Sequence, residues 1–388
     1  MKVLLLGVGM QGRAALGDLV AGRQVKEIVA ADADIDALEN YVEISGWRDR
    51  VRRERIDAAD NESIDRLMAQ KPDVALDLLP PRFVVRVAES AVRHGVHLVN
   101  TCFVRPGIEA LADEALARDV TILPECGLDP GIDLLLLGDA VRALDEVEEI
   151  RSYGSGIPEA DAADNPIRYK VTWSFEGVLG AYCRPARQIR DGEIVDIDGK
   201  SLFEPKNVSE MEIDGLGRLE AYPNGDALPI AERLGLDPRA LRHLGCYTMR
   251  HPGHCDFWKK LVELHLLDNE PVMIDGVPVD RRRFLAKAIA PHIKLGRQER
   301  DVIVLLVEVT GLLGGRRTRI VRQLVDRRDL ATGITAMSRT VGFTASIGAQ
   351  LVGSGGIASR GLITPIRDVP FDRFIRELGK RNIQIHSF

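Results

Sequence analysis

The first dozen residues carry the pattern best suited to chemistry. A short apolar run at residues 3–6 leads into the sequence G-V-G-M-Q-G at residues 7–12, and a helical pattern follows. In this fingerprint the first glycine permits a tight turn, the second lets the backbone approach a pyrophosphate, and the third lets helix and strand pack closely. The helix N-terminus then offers N–H groups and a positive dipole end to phosphates. The pattern predicts a dinucleotide site, the alternative being a glycine turn in an unliganded α/β domain.

An acidic residue, Asp32, closes a second apolar run about twenty positions beyond the glycines. A carboxylate at this place accepts hydrogen bonds from the ribose hydroxyls of NAD and would repel the 2′-phosphate of NADP. No Arg or Lys follows it within several positions. The sequence therefore favours NAD over NADP, and the competing interpretation of Asp32 is a solvated turn acid.

The elements that must position these residues alternate between strand and helix patterns from residue 1 to about 126. This alternation predicts an α/β fold with a Rossmann-type, doubly wound parallel sheet. Ligands of such sheets sit off the carboxyl ends of the strands. Cofactor contacts are therefore expected at Gly7, Val8, Gly9, Met10, Gln11, Gly12, Asp32, Leu78, Leu79, Pro80, Thr101, Cys126 and Gly127.

Strand-like stretches dominate from about residue 147 to 333, with helical pieces between them. They predict an α+β second domain with one mixed or antiparallel sheet. A long helix rich in small residues then starts near residue 335, which suits close packing against the first domain. The predicted domains are residues 1–128 (NAD-binding), 129–334 (substrate binding and dimerisation) and 335–388 (a C-terminal segment that returns to the first domain).

Asp129 precedes Pro130 at the start of a helical pattern. A carboxylate near a nicotinamide could position or deprotonate an amine. An Asp followed by Pro is equally a helix N-cap signal, and one residue could serve both purposes.

Two further stretches combine cations with other polar groups. Residues 168–174 alternate as a strand would, with Lys170 on the polar face, and they suit either a substrate carboxylate or a half-exposed strand. Residues 248–255 read T-M-R-H-P-G-H-C, where Arg250 could bind a carboxylate and His251 or His254 could transfer protons. The His and Cys spacing fits no regular zinc pattern, so no metal site is predicted, and a structural turn stays open.

Composition limits the classes of partner. A formal net charge of −6 argues against nucleic acid or an anionic membrane as partner. Five irregularly spaced cysteines indicate no disulfide framework and favour a reducing cytoplasm. No run approaches the roughly 20 apolar residues of a membrane span. We expect a small-molecule substrate and a homodimer, the latter because a mostly β domain with an exposed sheet edge pairs readily.

Taken together, these segments resemble the saccharopine dehydrogenase family, which includes the glutamate-forming saccharopine reductases and the lysine 6-dehydrogenases. The resemblance covers nearly the whole chain. It is carried by residues 7–12, 126–133, 164–174 with 176–179, 221–226 and 248–254.

The resemblance implies an NAD(P)-dependent dehydrogenase that acts on the C–N bond of an amino acid, by hydride transfer and hydrolysis of the resulting imine. The catalytic candidates are Asp129, Lys170 and His251. The substrate-binding candidates are Cys102, Phe103, Tyr153, Trp173, Thr248 and Arg250.

Two departures from the saccharopine reductases bear on the substrate and the cofactor. Those enzymes typically carry an Arg where this chain has Gly225, and they usually prefer NADP, whereas Asp32 favours NAD. Lysine 6-dehydrogenases lack that Arg and use NAD, yet Trp173 looks more like the reductases. Two other functions stay open: a nucleotide-binding protein without dehydrogenase turnover, and an aminoalkyl transferase of the homospermidine synthase type that uses NAD transiently.

Overall fold

The chain folds into two compact units in a computed structural model that describes residues 1–388. The first unit comprises Met1–Leu136 and Ser338–Gln384, and the second comprises Leu137–Met337 and Ile385–Phe388. The predicted domain boundaries at residues 128 and 334 stay a prediction. No helix combines the length and apolar character that a membrane span requires.

The N-terminal stretch of the first unit alternates strands and helices. Its strands are β1 (Lys2–Leu6), β2 (Glu27–Asp32), β3 (Val51–Arg55), β4 (Val74–Asp77), β5 (His97–Asn100) and β6 (Thr121–Leu123). Its helices are α1 (Met10–Ala21), α2 (Ile35–Ile44), α3 (Asn61–Met68), α4 (Val84–His94), α5 (Pro106–Glu109), α6 (Ala112–Ala117) and α7 (Ile132–Arg142), which continues into the second unit.

The second unit is richer in strands. Its strands are β7 (Glu146–Pro158), β8 (Ala186–Arg190), β9 (Glu193–Ile197), β10 (Ser209–Ile213), β11 (Gly217–Pro223), β12 (His243–Arg250), β13 (Val272–Ile274), β14 (Val277–Val279), β15 (Asp301–Leu313) and β16 (Arg316–Arg327). Its helices are α8 (Phe175–Ala181), α9 (Leu228–Leu234), α10 (His254–Glu263) and α11 (Arg281–Ile289).

The chain ends with α12 (Ala336–Gly353), β17 (Gly361–Leu362), α13 (Pro365–Asp368), α14 (Phe371–Lys380) and β18 (Ile385–Ser387). Short 3₁₀ turns occupy residues 81–83, 199–201, 238–240 and 290–292.

The sheet of the first unit has seven parallel strands in the order β17-β6-β5-β4-β1-β2-β3. Its central strands are apolar runs because helices cover both faces, and β4 is buried at every position. The predicted α/β, doubly wound architecture is confirmed, including a second mixed-sheet domain. The order reverses between β1 and β4, so the carboxyl ends of these strands form the usual ligand-binding edge.

Helix α12 and strand β17 complete this first unit from the far end of the sequence. A Cβ at Gly342 would lie 2.5 Å from the Gln11 carbonyl oxygen and 2.8 Å from the Ala14 Cβ, so only glycine allows α12 to pack this closely on α1. Ser346 Oγ donates a hydrogen bond of 2.6 Å to Asp18 on α1. The small residues of the long helix are therefore explained by its contact with the first helix.

The main sheet of the second unit is mixed. Strands follow the order β10-β11-β12-β7-β15-β16-β18, and β8 and β9 extend from β12. β12 and β7 are parallel, and the other pairs are antiparallel. An aromatic-rich core, which includes Tyr169, Tyr182, Tyr222 and Trp258, forms a cluster beside the end of β12.

The strand predicted at residues 168–174 is wrong. The segment is irregular and pairs only through a single bridge between Val171 and Lys294. Arg168 adopts φ +48°, a left-handed conformation that extended strands do not contain, and the Asn165 side chain bonds both the N–H and the carbonyl of Tyr169. The alternating residue types therefore arise from local turns and do not define two strand faces.

Candidate active site

The glycine loop joins β1 to α1 in the conformation that its sequence predicts. Gly7 adopts φ +88°, and a Cβ there would lie 2.8 Å from the Leu78 carbonyl oxygen. A Cβ at Gly12 would overlap the Gly7 carbonyl oxygen, whereas a Cβ at Gly9 would meet nothing within 4 Å. Gly9 also caps α1 without any side-chain hydrogen bond. The loop therefore presents bare backbone at the positive end of a helix, which suits a pyrophosphate.

Asp32 closes β2 beside this loop, but its carboxylate is already engaged. Oδ2 accepts a hydrogen bond of 2.6 Å from the Val8 N–H, and Oδ1 accepts one of 3.0 Å from the Asp34 N–H. Asp32 thus fixes the glycine loop from the inside. Sequence reasoning placed the residue correctly at the end of β2 but could not detect this bond, which links residues 24 positions apart.

The next two parallel strands end at the same edge of the sheet. The Asp77 carboxylate accepts a hydrogen bond of 3.0 Å from the Leu79 N–H, and the Asn100 side chain accepts one of 2.9 Å from the Cys102 N–H. These bonds shape the loops that hold the predicted contacts Leu78–Pro80 and Thr101–Phe103. Pro80 and Phe103 are exposed at the tips of these loops. The structure therefore brings both predicted loops to the carboxyl edge that also holds the glycine loop.

Three carboxylates follow β6, at Glu125, Asp129 and Asp133. Glu125 and Asp133 are buried, while Asp129 is exposed. Glu125 accepts a hydrogen bond of 3.3 Å from the Val104 N–H, and Asp133 accepts one of 2.6 Å from the Gly131 N–H. Burial, followed by the charge of Asp129, raises the pKa of Asp133 well above its ordinary value. Because burial favours its neutral form, Asp133 can hold a proton near the exposed Asp129.

Sequence reasoning named Asp129 as a candidate but missed the buried acids beside it. The signal was present, since Asp133 lies four residues beyond Asp129, within the first turn of α7. Gly127 and Cys126, both predicted contacts, lie buried in the same corner, and a Cβ at Gly127 would approach the Thr101 side chain to 3.3 Å.

In the second unit, Arg250 ends β12 and is only 6% exposed. Its guanidinium stands 5.3 Å from the centre of the Tyr169 ring, and Nη1 donates to the Met249 carbonyl at 2.8 Å. Burial opposes its charge, but the surrounding Tyr222, Tyr182 and Tyr169 raise its pKa, so it stays protonated. The buried Nε has no partner. A buried cation with an unused donor is suited to a ligand carboxylate.

His251 and Lys170 do not suit the proton-transfer role predicted for them. His251 Nε2 lies 2.8 Å from the Pro158 carbonyl oxygen, and burial lowers the pKa of the ring. The neutral ring therefore uses its N–H to tie the ends of β12 and β7. Lys170 forms ion pairs with Asp164 at 2.8 Å and Glu299 at 3.2 Å, and although burial opposes its charge, these two partners raise its pKa. It therefore stays an ammonium and cannot accept a proton.

The remaining predicted contacts of the second unit divide between the two faces of the sheet. Tyr153 stacks on Tyr247 at 4.9 Å and pairs with it in register. Because neighbouring residues of a strand point to opposite faces, Thr248 and Arg250 lie on the face away from Tyr153. Trp173 packs beside Gly177 in the aromatic core. The structure thus groups Thr248 with Arg250, and it places Tyr153 apart from them.

Comparison with known proteins decides the family. The model of the saccharopine dehydrogenase C-terminal domain matches residues 127–383, and that of the saccharopine dehydrogenase NADP binding domain matches residues 3–123. The chain belongs to the saccharopine dehydrogenase family. The resemblance stated from the sequence is confirmed.

Individual relatives agree with this assignment. The NADP(+)-dependent, L-glutamate-forming saccharopine dehydrogenase of Pyricularia oryzae is 26% identical over 98% of this chain and 97% of its own length. The alpha-aminoadipic semialdehyde synthase of Arabidopsis thaliana is 27% identical over 94% of this chain, which spans only 42% of that larger protein. The apo, L-Glu-forming saccharopine dehydrogenase of Saccharomyces cerevisiae shares the fold, with a TM-score of 0.85 and 22% identity over 100% of this chain and 99% of its own.

This saccharopine dehydrogenase family member is an oxidoreductase that acts on the C–N bond of an amino acid, as the sequence predicted. The prediction of NAD is wrong. The matching N-terminal family model is an NADP binding domain, and the relatives from Pyricularia oryzae and Saccharomyces cerevisiae are NADP(+)-dependent. The prediction relied on the charge of one residue, Asp32, whose carboxylate is directed to the Val8 N–H of the glycine loop.

Proposed function

We propose that this chain is an NADP-dependent dehydrogenase whose substrate is saccharopine, the secondary amine that joins the glutamate and lysine skeletons. The observation that carries this proposal is the bare glycine loop of the first unit. Independently of it, the second unit holds a buried Arg250 whose Nε has no partner. The first suits a dinucleotide, and the second suits the carboxylate of an amino acid. The names of the relatives support the choice of saccharopine.

The residues at the edge of the first sheet fit a dinucleotide. Gly12 leaves no room for a side chain, and Gly9 leaves its outer side open, so the backbone cradle is accessible to a pyrophosphate. Leu78–Pro80 and Thr101 line the adjacent strand ends, and we assign them to the nicotinamide half. A nicotinamide held there would supply the acceptor for a hydride from the carbon that bears the substrate nitrogen.

The protein groups supply binding and proton transfer for this reaction. Arg250 holds a substrate carboxylate through its free Nε–H and so orients the reacting C–N bond. Asp129, exposed beside the buried Glu125 and Asp133, accepts the proton that leaves the nitrogen as the imine forms. The same carboxylic acid then returns a proton to the leaving amine after water adds to the imine carbon. In this sequence a neutral secondary amine loses one hydride and one proton to become the imine. Water then supplies the carbonyl oxygen of the aldehyde, its two hydrogens reach the released amine, and the proton held by Asp129 leaves that amine as an ammonium.

A second candidate substrate is lysine itself, and one observation favours it. Gly225 adopts φ +71°, and a Cβ there would meet nothing within 4 Å. The chain therefore places no cation at the position where saccharopine reductases typically carry Arg, and a second carboxylate of the substrate would lack that partner. A primary amine with one carboxylate has no such need.

Product formation separates these candidates. Purified protein with NADP and L-saccharopine should form NADPH together with L-glutamate, and the Asp129→Asn variant should lose most turnover while it still binds NADPH. NADPH formation with L-lysine alone would replace saccharopine by the primary amine. Binding of NADPH without turnover on either compound would contradict the dehydrogenase proposal, and product without net NADPH would indicate a transferase.

The homodimer and the cytoplasmic location also belong to this proposal. The five cysteines form no disulfide, which supports a reducing compartment. The hairpin β13–β14 forms a separate two-stranded sheet, and Met273, Ile274 and Val277 on it are each more than half exposed. Isolated hairpins are marginally stable, and exposed apolar edges favour pairing. Sedimentation of Met273→Lys should show monomers, whereas Ile44→Lys, at an exposed site of α2, should leave a dimer intact.

A further inference from the structure

At the end of β2, the negative charge of Asp32 is unfavourable for the 2′-phosphate of NADP. A 2′-phosphate on the adenosine ribose carries negative charge, and Asp32 is a carboxylate at the strand end where the ribose of a dinucleotide is held in this fold. A chain that takes NADP needs a cation here, and the residues that follow Asp32 supply none. The cation must come from a neighbouring element.

The carboxylate of Asp32 accepts hydrogen bonds from the backbone of the loops that it supports. Both of its oxygens accept backbone hydrogen bonds, from Val8 at 2.6 Å and from Asp34 at 3.0 Å. Its negative charge is therefore partly compensated by two N–H dipoles of the loops it supports. The residue acts on the glycine loop and is not committed to a ribose hydroxyl.

Arg55 is the cation that the fold places next to Asp32. The two residues are register partners at the ends of the parallel strands β2 and β3, so their side chains project from the same face of the sheet. Arg55 is exposed, and its side chain forms neither an ion pair nor a hydrogen bond. Its backbone carbonyl is held by Arg66 Nη2 at 3.0 Å, which fixes the end of the strand without using the Arg55 guanidinium.

The other arginines near β3 are already engaged. Arg52 pairs with Glu54 at 3.5 Å, Arg53 donates to the Val51 carbonyl at 2.8 Å, and Arg50 donates to the Val25 carbonyl at 3.2 Å. Glu54 is also neutralised by Arg66 at 3.0 Å. Arg55 is thus the arginine of β3 whose guanidinium makes no hydrogen bond or ion pair, and it lies at the carboxyl end of the strand.

A second guanidinium comes from α1, the helix that the glycine loop opens. Arg13 lies 4.9 Å from the centre of the Tyr41 ring and has no carboxylate partner. A guanidinium stacked on a ring keeps its in-plane N–H groups free for a phosphate. Arg13 on α1 and Arg55 at the end of β3 are thus two guanidiniums without a carboxylate partner.

We propose that Arg55, supported by Arg13, binds the 2′-phosphate of NADP and gives this chain its preference for NADP over NAD. The inference rests on the proposed function, because it assigns residues to the cofactor named there. The residues that distinguish NADP from NAD then lie on β3 and α1, while Asp32 at the end of β2 stabilises the glycine loop.

Equilibrium binding tests this proposal without any turnover. Dissociation constants of the purified full chain are measured for NADPH, NADH and the fragments 2′,5′-ADP and 5′-AMP. Wild type should bind NADPH and 2′,5′-ADP more tightly than NADH and 5′-AMP. Arg55→Ala should weaken binding of NADPH and 2′,5′-ADP, the two ligands with a 2′-phosphate, about tenfold, as expected for one charge-assisted hydrogen bond. It should leave binding of NADH and 5′-AMP unchanged. Arg13→Ala should act in the same direction, and the double variant should abolish the preference.

Arg52→Ala serves as the matched control, because it removes a cation from the same strand at a position already paired with Glu54. It should change none of the four constants. A wild-type protein that prefers NADPH, together with an Arg55→Ala variant that retains this preference, would overturn the assignment and leave the proposed function standing. Failure of the wild-type chain to bind NADPH at all would overturn the proposed function as well.

Discussion

The polar centres of the two units are built in opposite ways. In the first unit, the carboxylates Glu125 and Asp133 are buried and held by backbone N–H groups, with the exposed Asp129 beside them. In the second unit, Arg250 is buried among tyrosine rings, and its Nε has no partner. Backbone N–H groups favour the charged form of a buried carboxylate, whereas burial favours its protonated form, so such a group can exchange a proton. Aromatic faces stabilise a cation without satisfying its hydrogen-bond donors. The first arrangement suits proton transfer, and the second suits binding of an anion.

The largest expected effect comes from adding a side chain to the glycine loop. Gly12→Ala places a Cβ against the Gly7 carbonyl oxygen, so the turn between β1 and α1 must open. We expect NADPH affinity to fall by about a hundredfold or more, together with a loss of stability of roughly 1–3 kcal/mol. Calorimetric titration and thermal unfolding measure the two effects. Gly379→Ala on α14 is the control, because a Cβ there meets nothing within 4 Å, and normal binding by Gly12→Ala would contradict the loop assignment.

Removal of the buried cation tests the other half of the comparison. Arg250→Met keeps an unbranched apolar stem but is shorter and has no charge and no hydrogen-bond donor. We expect KM for the amino-acid substrate to rise about thirtyfold, which corresponds to roughly 2 kcal/mol, the value of a charge-assisted hydrogen bond. The dissociation constant of NADPH should be unchanged. Steady-state kinetics and cofactor titration measure this separation. A fall in kcat with an unchanged KM would place Arg250 outside substrate binding.

A pH experiment probes the acidic edge of the first unit. Burial raises the pKa of Asp77 to about 7 from an ordinary value of 3.8. The folded chain therefore retains a proton that the unfolded chain releases, and the stability of the wild type should fall as the pH rises from about 4 to 7. Asp77→Asn should remove this dependence and be more stable than wild type at pH 8 by about 1 kcal/mol or more. Urea unfolding across the pH range measures the difference.

Asp65 gives the control of opposite sign. Burial opposes ionisation there, but hydrogen bonds from Ser90 and Arg93 outweigh it and lower the pKa. The contribution of Asp65 is therefore present above pH 3.8 and lost as the pH falls below it. Asp65→Asn should lose stability at neutral pH and approach wild type in acid. The same pH slope for both variants would contradict the assignment of either carboxyl.

The smallest effect concerns Lys170. Its ammonium is paired with Asp164 and Glu299, so Lys170→Met should lower stability through loss of these pairs, by about 1 kcal/mol, and leave the pH profile of kcat in place. Thermal unfolding and a pH–rate profile measure the two. Loss of one limb of the profile would restore Lys170 as the proton-transfer group and weaken the case for Asp129.

The glycine loop and the doubly wound sheet could be predicted because their signals are local. Gly7 and Gly12 are required by contacts within one strand–turn–helix unit, and the buried strands are continuous apolar runs. The strand prediction for residues 168–174 was wrong because alternation of residue types also occurs in turns. The left-handed conformation of Arg168 cannot be recognised from that alternation. Local sequence therefore determines the nucleotide fold more completely than the substrate site.

The cofactor and the acidic cluster depend on neighbours that the linear sequence does not show. Asp32 was interpreted from its charge alone, yet the sheet places Arg55 beside it from a different strand. Asp133 becomes a site residue only through burial next to Asp129, which follows from how β6 and α7 meet. The first case depends on a pairing between two strands, and the second depends on the burial of Asp133, which residue types alone do not show.

The route of the chain through the first unit also has a consequence for its biosynthesis. This unit is completed by α12, whose Gly342 packs on α1, and by β17, which pairs with β6. Roughly 200 residues of the second unit separate these pieces from Leu136. At ordinary rates of translation, on the order of ten to forty seconds pass between the two. During that interval the α1 surface around Ala14 and the outer edge of β6 remain uncovered on the ribosome, and they are the surfaces of the nascent chain most in need of protection by a chaperone.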